Sequence, residues 1–144
     1  MGITRITVDT HTLVWFLDKT LKAKRLSAYA LEIIRESEKY GVIYVSAISL
    51  MEIVDLSEKG RISVSYQNVI SLIETNEAYK VIPVNDKLVK ATIPLRGMEI
   101  HDRLILGTAL ITDSILVSRD KEIQITGLNV IWSNNPKPDN PLKR

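Results

Sequence analysis

The sequence predicts an α/β domain: a single mostly parallel central sheet with helices on both faces. Three observations point there. Short β-branched runs alternate along the chain with helical patterns. Two of those runs, residues 42–45 and Ile115–Val117, are apolar without a polar face, as in strands covered on both sides. The 144 residues, 45% hydrophobic and 25% charged, suffice to bury one core and exclude wholesale disorder.

In order, residues 3–8 alternate and read as a strand. Asp9-Thr10-His11-Thr12 are capping types, Thr10 among them, and open an apolar helical turn at Leu13. A basic connector holds Lys22, Lys24 and Arg25. Residues 27–40 form an amphipathic helix with Leu31 and Ile34 inward, stopped by Gly41. After the strand at 42–45, Ser46 caps a helix that carries Glu52 and ends near Gly60. Ser65 starts another, with Val69, Leu72 and Ile73 on its buried side. Residues 79–84 read as a third strand, placed at an edge or cut short by Pro83. Asn85-Asp86 caps a short helix that ends before Pro94. The stretch from His101 to Leu110 is a nearly all-apolar helix with Asp102 in its first turn. Strands at 115–118 and 129–132 follow. Leu106 and Leu110 are both expected to be buried, so that a polar residue at either would damage folding. Residues 1–132 form one domain, and 133–144, with three prolines, a mobile tail.

Composition narrows the chemistry. Net charge is +2, which permits a polyanionic partner without demanding one. Cysteine is absent, which removes disulfides, thiolate zinc sites and cysteine nucleophiles. No targeting segment opens the chain and no apolar run approaches ~20 residues, so a cytoplasmic protein without a membrane span is expected.

Ligands of such sheets bind outside the carboxyl ends of the strands, and four acids fall there. Asp9 ends the first strand. Asp120 follows the strand at 115–118. Glu52 lies in a helix that begins at that edge, and Asp102 opens another. Each has an ordinary reading: Asp9 as a cap, Glu52 in a capping box with Ser49, Asp102 as a complement to the helix dipole, Asp120 as a turn residue. Together they crowd like charge on one rim, which a divalent cation would relieve. Carboxylate oxygens suit Mg²⁺ or Mn²⁺. A hard cation at the mouth of such a sheet suits phosphodiester hydrolysis, because it lowers the pKa of a water and stabilises charge on phosphoryl oxygens.

The run Asp9-Thr10-His11-Thr12-Leu13-Val14-Trp15 resembles the opening motif of PIN-domain ribonucleases. Val45 to Ile53, with Glu52, is similar to the second motif; Asp102-Arg103-Leu104-Ile105 with Ala109 to the third; Leu116-Val117-Ser118-Arg119-Asp120 to the fourth. The order and spacing extend over residues 3–132, and the likeness is greatest to the VapC-like toxins of toxin–antitoxin pairs. That resemblance implies a Mg²⁺- or Mn²⁺-dependent endoribonuclease acting on RNA, a homodimer, and a small antitoxin partner. It implies Asp9, Glu52, Asp102 and Asp120 as the metal-holding and catalytic quartet, with Ser118 as a small hydroxyl residue near the metal. His101 departs from the apolar or proline residue expected before that aspartate.

Other residues are weighed on their own chemistry. Arg103 has two even readings, a phosphate contact or an ion pair with a site acid. Arg119 and Lys121 are candidates to track an RNA backbone; Lys22, Lys24 and Arg25 read as solvated. Lys137, Lys143 and Arg144 lie in the tail. His11 and His101 read as solvated or hydrogen-bonded, and Trp15 and Phe16 as core or dimer interface. Three rivals stand beside the toxin: a PIN-fold RNA-binding or scaffold protein that does not cut, an RNA-processing PIN nuclease without an antitoxin, and a phosphoacceptor domain. The last lacks an acid after the middle strands, where Ser46 and Asn85 stand instead.

Overall fold

The computed structural model describes residues 2–19, 25–124 and 126–133. Lys22, Lys24 and tail residues 134–144 lie outside them. The order is β1 (Arg5–Val8), α1 (Thr10–Leu17), α2 (Ala28–Tyr40), β2 (Val42–Ser46), α3 (Ala47–Glu58), α4 (Tyr66–Thr75), β3 (Tyr79–Ile82), α5 (Asp86–Ala91), α6 (Ile100–Thr112), β4 (Ile115–Val117), α7 (Lys121–Gln124) and β5 (Val130–Ile131).

The five strands form one sheet in the order β3-β2-β1-β4-β5, and every pairing is parallel. β3 is an edge strand, as Pro83 predicts, and it stops at Ile82 rather than reaching Val84. The chain winds outward from β1 through β2 to β3, then crosses to the other side of β1 for β4 and β5. That reversal makes the carboxyl ends of β1 and β4 the topological switch point of the sheet.

Both faces are covered. Successive side chains of a strand point to opposite faces, and Ile6, Thr7 and Val8 of β1 are all buried. One apolar cluster joins Ile6, Val8, Ile43, Val45 and Val117 to Ile33 and Ile34 of α2. A second joins Leu116 and Val130 to Ile105, Leu106 and Ala109 of α6. The neighbours Leu116 and Val117 therefore serve different clusters, one on each side of the sheet.

Helix starts follow local chemistry. Asp9, Ser27, Ser46, Ser65, Asn85 and Glu99 occupy the N-caps, each accepting a backbone amide of the first turn. Asp9, and not Thr10, caps α1. Ser46 caps α3, so Ser49 lies inside that helix and the Ser49–Glu52 capping box does not form. The reciprocal box sits at α4 instead, between Ser65 and Asn68.

Leu110 corrects one expectation. Leu106 is 1% exposed and Leu110 is 43% exposed. The apolar run carries more hydrophobic surface than one helix face buries, and Leu110 falls on the outer side beyond Ala109. Leu106→Ala is expected to cost about 2–5 kcal/mol, and Leu110→Ala under about 1 kcal/mol; urea unfolding of the two variants compares them directly.

Candidate active site

Each acid reaches the switch point on a different segment. Asp9 directly follows β1, because the N-cap of α1 must sit where the strand ends. Its carboxylate accepts the Thr12 amide at 2.9 Å, and it is 8% exposed. Burial pushes its pKa above the ordinary 3.8, against hydrogen bonds from Ser118 and Thr12. Ser118 is fully buried after β4, and its hydroxyl also accepts the Asp120 amide at 3.1 Å. One serine thus ties Asp9 to the loop that carries Asp120. The Asp120 carboxylate accepts the Glu122 amide at 2.9 Å, which opens α7.

Glu52 stands in the second turn of α3, half-buried. Its Oε1 accepts the Thr10 hydroxyl at 2.6 Å, and its Oε2 faces His101 Nδ1 at 3.8 Å. The Thr10 hydroxyl oxygen also lies 3.0 Å from that of buried Ser49. Asp102 lies in the first turn of α6, whose start is set by Glu99: that carboxylate accepts the amides of His101 and Asp102 at 2.9 and 3.1 Å. A slight burial penalty on Glu99 is outweighed by these two bonds and by nearby His101, so its pKa falls below normal.

Electrostatics bring the quartet together. Asp102 has its pKa raised to about 6, first by burial and then by the charges of Asp120, Glu99, Asp9 and Glu52. His101 Nδ1 lies 3.8 Å from the Glu52 carboxylate and 3.2 Å from that of Glu99. Among the described residues, no three His, Cys, Asp or Glu side chains stand close enough to hold an ion directly. The donor set is all carboxylate and open. That fits a hard cation which keeps several waters and takes one or two carboxylates, and it does not fit a closed protein cage.

Arg103 reaches back along the chain. Its guanidinium donates to the carbonyls of Thr92 and Ile93 at 3.0 and 3.3 Å, so it ties α6 to the end of α5. Thr10, Ser49 and Glu99 are the partners that sequence reasoning missed. Thr10 and Ser49 had a usable signal, since both sit one helical turn or less from a quartet acid.

A cleft of about 920 Å³ opens beside Asp9 and Asp120. Arg25, Arg61 and Arg119 line it, with His11 and Trp15. Arg25 is therefore a cleft residue, not only a solvated one. His11 is exposed and its ring lies 5.7 Å from that of Trp15.

The PIN-domain profile matches residues 6–127. The chain belongs to the PIN-domain family. Solved structures share the PIN fold along most of both chains. A toxin–antitoxin complex from Klebsiella pneumoniae has 19% identity and a TM-score of 0.59, covering 88% of this chain and 95% of the other. VapBC2 from Rickettsia felis, bound to a promoter DNA fragment, has 18% identity and a TM-score of 0.61, with the same coverage. DNA-bound VapBC from Salmonella typhimurium has 17% identity and a TM-score of 0.64, covering 91% of this chain and 100% of the other. No curated protein matches significantly. Among the described residues of this PIN domain, no helix is long and apolar enough to cross a membrane.

Proposed function

We propose that this PIN domain is a divalent-metal-dependent endoribonuclease of VapC type, a homodimer paired with a small antitoxin in the cytoplasm. The observation that carries the reading is Asp102, whose carboxyl is raised by burial and by the nearby charges of Asp120, Glu99, Asp9 and Glu52. The similarity to VapBC complexes supports the toxin reading. Mg²⁺ or Mn²⁺ would be held directly by one or two of Asp9, Asp102 and Asp120, and by the rest through its waters. Glu52, steered by Thr10 and His101, would complete the set. The cation, when bound, supplies an activated water and neutralises charge on the phosphoryl oxygens. The chain's own part is to keep that charge deficit in place. Ser118 couples Asp9 to Asp120, and α6 presents Asp102 from a rigid, apolar-packed helix.

Purified protein is expected to cut single-stranded RNA with Mg²⁺ or Mn²⁺, to stop in EDTA, and to resume when the metal is restored. Cleavage that continues unchanged in EDTA would sink the proposal. A protein that binds RNA with metal present and never cuts it would favour the non-cleaving rival.

A further inference from the structure

We propose that Trp15 and Arg119 form a base-binding wall, on which one unpaired base next to the cleaved phosphate stacks. The inference rests on the ribonuclease reading and names the feature of RNA that the cleft would read.

Both residues travel with site acids. Trp15 is on α1, which Asp9 caps, and Arg119 directly precedes Asp120. Both line the cleft that holds those two acids. The Trp15 indole is half-buried and packs against Trp132, the ring centres 5.9 Å apart and the planes at 70°. Trp132 is anchored in turn, because its carbonyl accepts the Ser27 hydroxyl. A face of the Trp15 ring carries the Arg119 guanidinium, 5.9 Å from the ring centre. Arg119 itself is exposed.

An arginine over an indole at an exposed site is a weaker contact than a nucleobase stacked on the same ring. An arriving base therefore takes the ring, and Arg119 is released onto the phosphate beside it. Arg25 and Arg61 add positive charge to the same cleft, which suits a polyanion. Bases in a duplex have no free face to offer, so such a wall selects single strands.

The chain has two tryptophans, so Trp132→Phe leaves Trp15 as the sole indole reporter and keeps an aromatic edge beside it. That protein is titrated in EDTA with a single-stranded RNA of about eight nucleotides, and with a duplex of the same composition. The single strand is expected to quench Trp15 saturably and to bind about tenfold tighter than the duplex. Trp15→Leu should weaken single-strand binding about tenfold or more, measured by polarisation of labelled RNA. Should Trp15→Leu not fold, Arg119→Ala carries the test on an exposed position. It should weaken binding and reduce the salt slope by about 0.7, one phosphate's worth. Absence of saturable quenching overturns the proposal and leaves the wall to a protein partner. So does unchanged affinity in folded Trp15→Leu, or an unchanged salt slope in Arg119→Ala. The two readings fail separately: cleavage that persists in EDTA removes the metal-nuclease reading alone. Equal binding of single strand and duplex by a protein that still cuts removes the wall alone.

Discussion

The Asp102→Asn protein is expected to lose RNA cleavage by about 100-fold or more, since outer-shell partners of a metal already cost about 10–100-fold. In EDTA it is also expected to melt at a higher temperature than the parent. The two results together separate a metal site from a helix-dipole role. A residue that only complements the dipole would lose stability on neutralisation. A crowded carboxylate gains it, because its charge is what the folded state tolerates poorly. The pKa of Asp102 is raised to about 6 from 3.8. Between those values the folded protein holds a proton that the unfolded chain has released, so stability falls as pH rises. The cost of ionisation is full above about pH 6 and disappears below 3.8. Metal-free parent protein should therefore melt higher near pH 5 than near pH 7, and Asp102→Asn should flatten that slope. Saturating Mg²⁺ near pH 7 should raise the parent's melting temperature and leave the variant's nearly unmoved. A variant less stable than the parent in EDTA, cutting RNA at full rate, would remove Asp102 from the site.

Gly41→Ala should be the most damaging single-methyl change, at about 3 kcal/mol. An added Cβ would lie 1.8 Å from the Thr4 carbonyl oxygen and 2.6 Å from its carbon. That carbonyl accepts the Val42 amide at 2.8 Å, where β1 and β2 begin to pair. Backbone sits on both sides of the clash, so nothing flexible can yield. The β1–β2 entry must open, and β1 is the strand that ends at Asp9. Urea unfolding should show the loss as a lower midpoint; a midpoint within error of the parent's would mean the strand entry relaxes freely.

The parallel sheet was legible because its strands carry their signal locally. Ile6, Val8, Ile43 and Val45 are β-branched and buried, and Pro83 marks an edge. The capping of α3 by Ser46 was legible for the same reason, as was the position of Asp9 directly after β1. The rest was set by pairs distant in sequence. Leu110 looks as apolar as Leu106, and only the packing of α6 on β4 decides which is covered. Arg103 is next to Asp102 in sequence, yet its reach is decided by the turn after α5, whose carbonyls it satisfies. Thr10 reads as a cap because its hydroxyl could serve the backbone; instead it spans 42 residues to Glu52. Glu99 escaped notice because glutamate is an uncommon cap, and its long side chain must fold back to reach the amides.

The pairing of β4 with β1 has a consequence for the order in which the chain emerges during synthesis. The Ser118 amide donates to the Ile131 carbonyl, and Trp132 backs the Trp15 ring. Asp9 is made long before Ser118 and Asp120, which come beside it only when β4 pairs with β1. A growing chain can therefore cap α1, pair β1 with β2 and bury much of its core while its rim still lacks an acid. For a protein proposed to cut RNA, translation itself is then a safety interval: the blade is assembled only when β4 joins β1, after much of what supports it.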